Sequence, residues 1–596
     1  MTGRYIRVND PVRLSSVSWH DEVIDMPKKT KDTKATKEPK DTKEPKDTRG
    51  TKDTKGTKDT KDPTERVARR PPRARELVEP TGPTGGKLDV LMVTSEARPF
   101  AKTGGLADVS NALSRALARL GHRVTIVLPR YRGGDSDGVT VRAIDVPMGA
   151  GSYPVRLIER PVDDGVNAIL VDAPALFDRD GLYGDHTGEY GDNAFRFGLL
   201  GRAALEYARL PAPGGRRPSV VHAHDWQGAF ASIYLRTVLR DDPFFRDTRS
   251  VLTIHNLAFQ GQFDSKELPF IGLSRDLYHP GLLEFWGRAS SLKGAVVLSD
   301  TITTVSPTYA REIVTPEYGF GFNGILQDRA PDLVGILNGI DVDMWDPTDD
   351  RYLPVHFNAK TLDQKSVVKH ALLQYLNMPR DGSAMARPVV GIVSRLTKQK
   401  GCDLLAAAAD RMMALDATWV MLGSGDGWCE DMWRTLASRY PHRVAAVVGF
   451  DEQLSHLIEG GSDLFLMPSW YEPCGLNQMY SQRYGTVPVV RATGGLVDSV
   501  IDATDFPKTG TGFKFSDYNP DGLMWGLTRA MEAFRDAKQW RTLQKNAMKQ
   551  DFSWDVSARE YVKVYRGQIT DGIRQGTDDH GRQLRSDDQR RKARAR

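Results

Sequence analysis

The sequence predicts an α/β protein built from two doubly wound, Rossmann-like domains. Three observations carry this. Short apolar runs bounded by polar residues recur along the chain, the pattern of strands buried on both faces. They alternate with apolar-periodic segments of helical length, and glycine-containing loops follow the runs directly. The pattern begins near residue 88, fades before 340 and restarts near 387.

The elements follow in order. LDVLMV (88–93) is a first strand, a Gly-containing loop follows, and NALSRALARL (111–120) has helical apolar spacing. GHRVTIVLP supplies the next strand, so the unit is strand–loop–helix–strand of the parallel kind. SVVHAH (219–224), SVLTIHN (250–256) and TITTVS (301–306) read as further buried strands, and a weaker stretch, 315–340, ends in GILNGID. The second series opens with RPVVGIVSRL (387–396), the helix GCDLLAAAADRMMAL and the strand TWVMLGSGDG (418–427). RVAAVVGF, DLFLMPS and VPVVRATGGL continue it. The expected division is 1–86 extension, 87–340 first domain, 341–386 linker, 387–570 second domain with a closing helix, and 571–596 tail. In such sheets ligands bind beyond the carboxyl ends of the strands, so two facing domains make a cleft lined by strand-exit loops.

The charge lies elsewhere. Residues 28–66 repeat Lys, Asp or Glu, and Thr or Pro with no large apolar side chain, and cannot offset the entropy of ordering. The overall +5 belongs to the two ends; residues 77–570 alone count to −5. Acidic residues interrupt nearly every lysine of the repeat, which reads as a solvated spacer, so no nucleic-acid partner is expected. No apolar stretch is long enough to span a membrane. Three cysteines make no disulfide framework, and their odd number points to a reducing compartment.

Polar clusters sit at the strand exits: KTGGLADV (102–109), HAHDWQG (222–228), TIHNLAFQG (253–261), SRLTKQKG (394–401) and PSWYEPCGLNQMYSQRYGTVPVVRATGGL (468–496). Arg395 and Lys400 span a strand-to-helix turn and can converge on a diphosphate. Lys102 with Gly104 and Gly105 places a cation beside side-chain-free backbone before a helix start, which favours anions. Glu472 follows a strand and can bond sugar hydroxyls or offset positive charge, though it could equally be a helix-capping Glu. A histidine after a strand, such as His255, is by itself more often structural. Asp341-Val342-Asp343 and His222/His224/Asp225 imitate metal motifs, but no cysteine or carboxylate cluster accompanies them, and no metal or cofactor is expected. GSGDG (423–427) lacks the last glycine of a dinucleotide fingerprint, since Trp428 stands there.

In order, spacing and wording these motifs resemble the bacterial glycogen synthase and plant starch synthase family, glycosyltransferases of the GT-B fold. LEFWGRASSLKG (283–294), TTVSPTYAREI (303–313), GILNGID (335–341) and QDFSWDVSAREY (550–561) extend the resemblance over about 88–565. The resemblance implies transfer of glucose from ADP-glucose to the non-reducing end of an α-1,4-glucan, with retention of configuration. It implies that Arg395 and Lys400 contact the donor phosphates and that Asp225, His255 and Glu472 lie around the transferred glucose. It places Lys102, Gly104, Gly105, Gly423, Gly475, Leu476, Thr493, Gly494 and Gly495 at the donor site, and gives Cys474 a packing role. A front-face departure and attack is the expected mechanism, with the leaving phosphate helping to take the acceptor's proton. The alternatives are another GT-B transferase with a different donor, or a catalytically weak glucan-binding protein. The extension before residue 87 is too acidic for a plastid transit peptide, so a bacterial cytoplasmic enzyme is expected.

Overall fold

The computed structural model describes residues 86–133, 141–211 and 215–568. The stretches read as disordered, 1–86 and 571–596, lie outside the described residues apart from Gly86. The first lobe is a nine-stranded sheet. Its strands are β1 (Asp89–Val93), β2 (Arg123–Pro129), β3 (Val141–Met148), β4 (Gly151–Asp163), β5 (Val166–Asp172), β6 (Val220–His224) and β7 (Arg249–Ile254). A small separate sheet follows, of β8 (Gln262–Phe263), β9 (Glu284–Phe285) and β10 (Arg288–Ser290). The large sheet is completed by β11 (Thr301–Thr304) and β12 (Leu333–Gly335), in the order β12-β11-β7-β6-β1-β2-β5-β4-β3. Seven strands run parallel and most are covered on both faces, as the sequence pattern implies. β3 and β4 do not: they pair antiparallel beside β5 and extend the edge, which the parallel reading did not contain. Their alternating burial leaves one face wet, as an antiparallel edge permits.

The second lobe has six strands, all parallel: β13 (Val389–Val393), β14 (Thr418–Gly423), β15 (Val444–Val448), β16 (Leu464–Met467), β17 (Val487–Arg491) and β18 (Phe513–Phe515). Their order is β15-β14-β13-β16-β17-β18. Two apolar layers cover each sheet.

Two stretches pack differently from the expected division. Residues 341–386, read as a linker, bury Leu353, Phe357, Leu362, Val368 and Leu372 in a core layer of the second lobe. The helix Lys365–Tyr375 carries the last two at helical spacing, so this stretch is lobe rather than tether. The closing helix Trp554–Tyr565 returns to the first lobe, where Trp554, Ala558, Tyr561 and Tyr565 enter the core beside the helix Gly105–Arg119. That helix starts earlier than the run 111–120 indicated, because its first turn opens with glycines. The cysteine arithmetic also needs correcting. Cys402 and Cys429, in neighbouring helices of the second lobe, form a disulfide, and Cys474 alone is free and buried. Spacing could not show that two residues 27 apart start adjacent helices.

Candidate active site

The sheet orders decide which strand exits meet. β6 lies between β1 and β7, so the loops holding Thr103–Gly105, Asp225 and His255 leave the first lobe side by side. β13 pairs with β16, so the loops carrying Arg395–Lys400 and Ser469–Leu476 leave the second lobe as neighbours. The EPCG segment faces both lobes: Tyr471 and Cys474 belong to the first lobe's core cluster, and Ser306 donates to the Pro473 carbonyl at 2.7 Å. Tyr471 Oη lies 3.4 Å from Asn256 Oδ1, beside His255. Gly105 approaches the Leu476 side chain from across the cleft.

On the first lobe the functional groups are buried and interlocked. Asp225 sits at the β6-to-helix junction with φ 51°, a left-handed conformation uncommon outside glycine. Its carboxylate accepts the His255 backbone N–H at 2.7 Å, yet burial pushes its pKa up to about 7. The His255 ring meets the His224 ring, Nε2 to Nδ1, at 2.9 Å. Burial holds His255 and His222 down to about 3 and lowers His224, so all three imidazoles are neutral near pH 7. His222 in turn contacts Thr253 at 2.6 Å and Tyr565 of the returning helix at 2.9 Å. The His222 ring also packs on the His224 ring, 4.1 Å between centres, and this ring contact joins the C-terminal helix to the cleft cluster.

The second lobe presents charge. Lys400 Nζ donates to Glu472 Oε2 at 2.6 Å, and Ser469 Oγ donates to the same oxygen at 2.9 Å. Glu472 is buried, whereas Arg395 is exposed and touches only the Gln399 amide oxygen, at 3.0 Å, among the hydrogen bonds described for it. Gly423 ends β14, and Phe450 projects into solvent just past β15, 83% exposed. Gly475 adopts φ 72° at the turn into the helix Asn477–Arg483. The disulfide ties Cys402, two residues past Lys400, to the helix that follows GSGDG.

Some expected positions are already occupied by protein. Lys102 is held by the Asp108 carboxylate at 2.7 Å, which also takes Arg98. Thr493 Oγ1 and the Gly494 N–H both donate to Glu312 of the first lobe, at 3.0 and 2.9 Å. Gly494 (φ 45°) and Gly495 press on the Glu472 and Cys474 carbonyls, where any Cβ would collide. These two glycines seat the Glu472 segment. Gly104, by contrast, faces open space.

Three groups escaped the sequence reading. Glu96, buried just past β1, accepts from Thr103 N–H at 2.5 Å, Thr103 Oγ1 at 2.6 Å and Gly104 N–H at 3.3 Å, and so shapes the KTGG loop. His224 is the ring partner of His255, and its place two residues from His222 on one strand face was the available signal. Glu312 is one of the contacts between the lobes. Among the described residues no cluster of three or more His, Cys, Asp or Glu could hold a metal ion. Asp341 of the DxD string accepts the Asp343 and Met344 backbone N–H groups, as a turn residue does. Burial pushes the Cys474 thiol far up, leaving it to packing.

Two parallel α/β lobes whose strand exits bring a lysine–glutamate pair opposite a histidine–aspartate cluster define a glycosyltransferase of the GT-B class. Residues 89–328 match the family described as starch synthase catalytic domain, and 377–549 match glycosyl transferases group 1. A glycogen synthase of Koribacter versatilis is 45% identical over 480 residues, covering 80% of this chain and 98% of the relative. That of Anaeromyxobacter dehalogenans is 46% identical over 480 residues, covering 80% and 99%. The structure of the catalytic domain of starch synthase IV from Arabidopsis thaliana, bound to ADP and acarbose, has a TM-score of 0.73 at 35% identity, covering 80% of this chain and 99% of that one. A sucrose-phosphate synthase from Thermosynechococcus elongatus shares the fold, with a TM-score of 0.51 at 17% identity over 81% and 99%. The chain belongs to the glycogen synthase/starch synthase family and is a glucosyltransferase that extends a glucan.

Proposed function

We propose that the cleft transfers glucose from ADP-glucose to the non-reducing end of an α-1,4-glucan, with retention of configuration. The observation that carries this is the Lys400–Glu472 pair, 2.6 Å apart at adjacent strand exits. A diphosphate drawing on Lys400 and Arg395 leaves Glu472 free to bond the sugar and offset positive charge as the C1–O bond breaks. The open Gly104 backbone, at the start of a 15-residue helix, offers further N–H groups to the diphosphate. Asp225 and His255 hold the glucose from the acceptor side. A neutral imidazole suits that task, because it adds no positive charge beside an oxocarbenium-like centre. The departing phosphate oxygen takes the acceptor hydroxyl's proton on the same face, so no covalent intermediate on a side chain is required. Gly423, Gly475, Leu476 and Thr493–Gly495 shape the donor side, Gly494 and Gly495 through their hold on the Glu472 segment.

An ADP-bound relative at 35% identity supports the adenine nucleotide. The same reading puts the enzyme in the bacterial cytoplasm beside its nucleotide sugar; no helix among the described residues is long and apolar enough to cross a membrane. The test offers purified protein ADP-glucose or UDP-glucose with glycogen and measures nucleotide release and chain extension. Extension with ADP-glucose is expected. Extension with UDP-glucose alone would overturn the donor, and no extension with either would overturn the reading.

A further inference from the structure

Between β9 and β10 the chain turns through Trp286 and Gly287. Trp286 is 78% exposed, although an indole is among the side chains that gain most from burial. The hairpin does not need it as an anchor, since Phe285 fills that role, buried against Phe322 with ring centres 4.6 Å apart. The backbone is equally unusual. Trp286 has φ 53°, in the left-handed region that a bulky side chain rarely adopts. Only Asp225, Phe320 and Asn377 share that feature among the described non-glycine residues, and Phe320 is a neighbour in space. A Cβ on Gly321 would stand 3.1 Å from Trp286 Nε1.

The pair leads to the reaction centre. The Phe320 ring meets the Tyr471 ring edge-on at 5.4 Å, and Tyr471 precedes Glu472. Gln260, five residues past His255, donates to the Phe320 carbonyl at 2.8 Å. Gln262 donates to Gln260 at 3.0 Å and is exposed, so a short amide chain runs from the Phe320 carbonyl to the surface of the same small sheet. An exposed aromatic ring linked through Gly321 and Phe320 to Tyr471 of the sugar-transfer site suits a pyranose ring, apolar on its face and hydroxylated at its rim.

We infer that Trp286 is a stacking platform for the α-glucan acceptor, holding a glucose unit of the chain beyond the one that receives the new sugar. This rests on the acceptor-side reading above. Strain is retained at residue 286 because the indole must face the glucan rather than the core.

The test compares wild type with Trp286→Gly, which suits φ 53° and keeps the hairpin, and with Trp286→Phe, which keeps a ring. Maltoheptaose binding without donor and KM values for maltoheptaose and ADP-glucose are measured. Loss of the ring is expected to weaken maltoheptaose binding and raise its KM by about tenfold, with the ADP-glucose KM unchanged and the melting temperature of the glycine variant at or above that of wild type. Trp286→Phe recovers most of the loss. Equal maltoheptaose binding by wild type and Trp286→Gly, no binding by either, or a parallel rise in the donor KM overturns the inference. Failure of wild type to use ADP-glucose would instead overturn the donor reading, and the donor-free binding still decides on Trp286.

Discussion

The two sides of the cleft are built on opposite principles. On the first lobe Asp225, His224 and His255 are buried or half-buried and joined by hydrogen bonds, and the His224 ring packs on that of His222, which bonds Tyr565 of the last helix. On the second lobe Arg395 is exposed, and Lys400 rests on Glu472. A neutral, prebonded network suits a sugar that must be held in one orientation. Exposed cations suit a diphosphate that must enter and leave each turnover, since they capture a charged ligand at little desolvation cost. On the proposed reading, shape is fixed on the acceptor side and charge is supplied on the donor side, with Glu472 where they meet.

Removing that meeting point has the largest expected effect. Glu472→Ala is expected to lower kcat about 10³-fold while thermal unfolding shows an intact fold; kcat within a few-fold of wild type would separate Glu472 from the chemistry. Arg395→Ala comes next, raising the ADP-glucose KM and lowering kcat, together about 30–100-fold in kcat/KM, the worth of a charged hydrogen bond. Because Arg395 is exposed, its loss leaves the melting temperature unchanged, and a large drop in stability would refute the proposed asymmetry.

Titration sharpens the same contrast. With Asp225 raised to about 7, transfer is expected to climb as pH rises through that value if its carboxylate form holds the sugar, and the Asp225→Asn profile should lose that step. The stability signs are opposite for the two residue types. Between pH about 4 and 7 the native Asp225 binds more proton than the unfolded chain, so its contribution falls as pH rises, and Asp225→Asn gains stability relative to wild type at pH 8 over pH 5. His222 and His255, held to about 3, bind less proton natively than unfolded below pH 6.5, so their contribution is lost as pH falls from 6.5 toward 3. Paired melting curves at pH 5 and 8 check both signs. The smallest effect concerns the disulfide behind the donor loop: thiol titration after unfolding without reductant should count one thiol, Cys474, and three after reduction. Three thiols in both would remove the link.

Much of this was legible in the chain. Buried strands announce themselves as bounded apolar runs, and strand-exit loops in parallel sheets collect ligands, so HAHDW, TIHN, SRLTKQKG and EPCGL pointed to the cleft without coordinates. Legibility stopped where function depends on distant partners. Nothing near Gly494 indicates that Glu312 takes its N–H, and nothing near Thr103 names Glu96 as its acceptor. The pairing of β3 and β4 was missed because their alternating polar and apolar residues make no bounded apolar run, and Tyr565 reaches His222 across 343 positions of chain.

The sequence by itself determined the two-lobed α/β architecture, the residue types at each strand exit and the family, because local apolar period and motif wording are carried by neighbouring residues. Only the tertiary structure decided that Asp225 and His255 are buried beyond their ordinary pKa ranges, that Lys400 rests on Glu472, and that Trp286 stands exposed. Burial and ion pairing are properties of what packs around a side chain, and here those surroundings come from other strands, the other lobe and the far end of the chain.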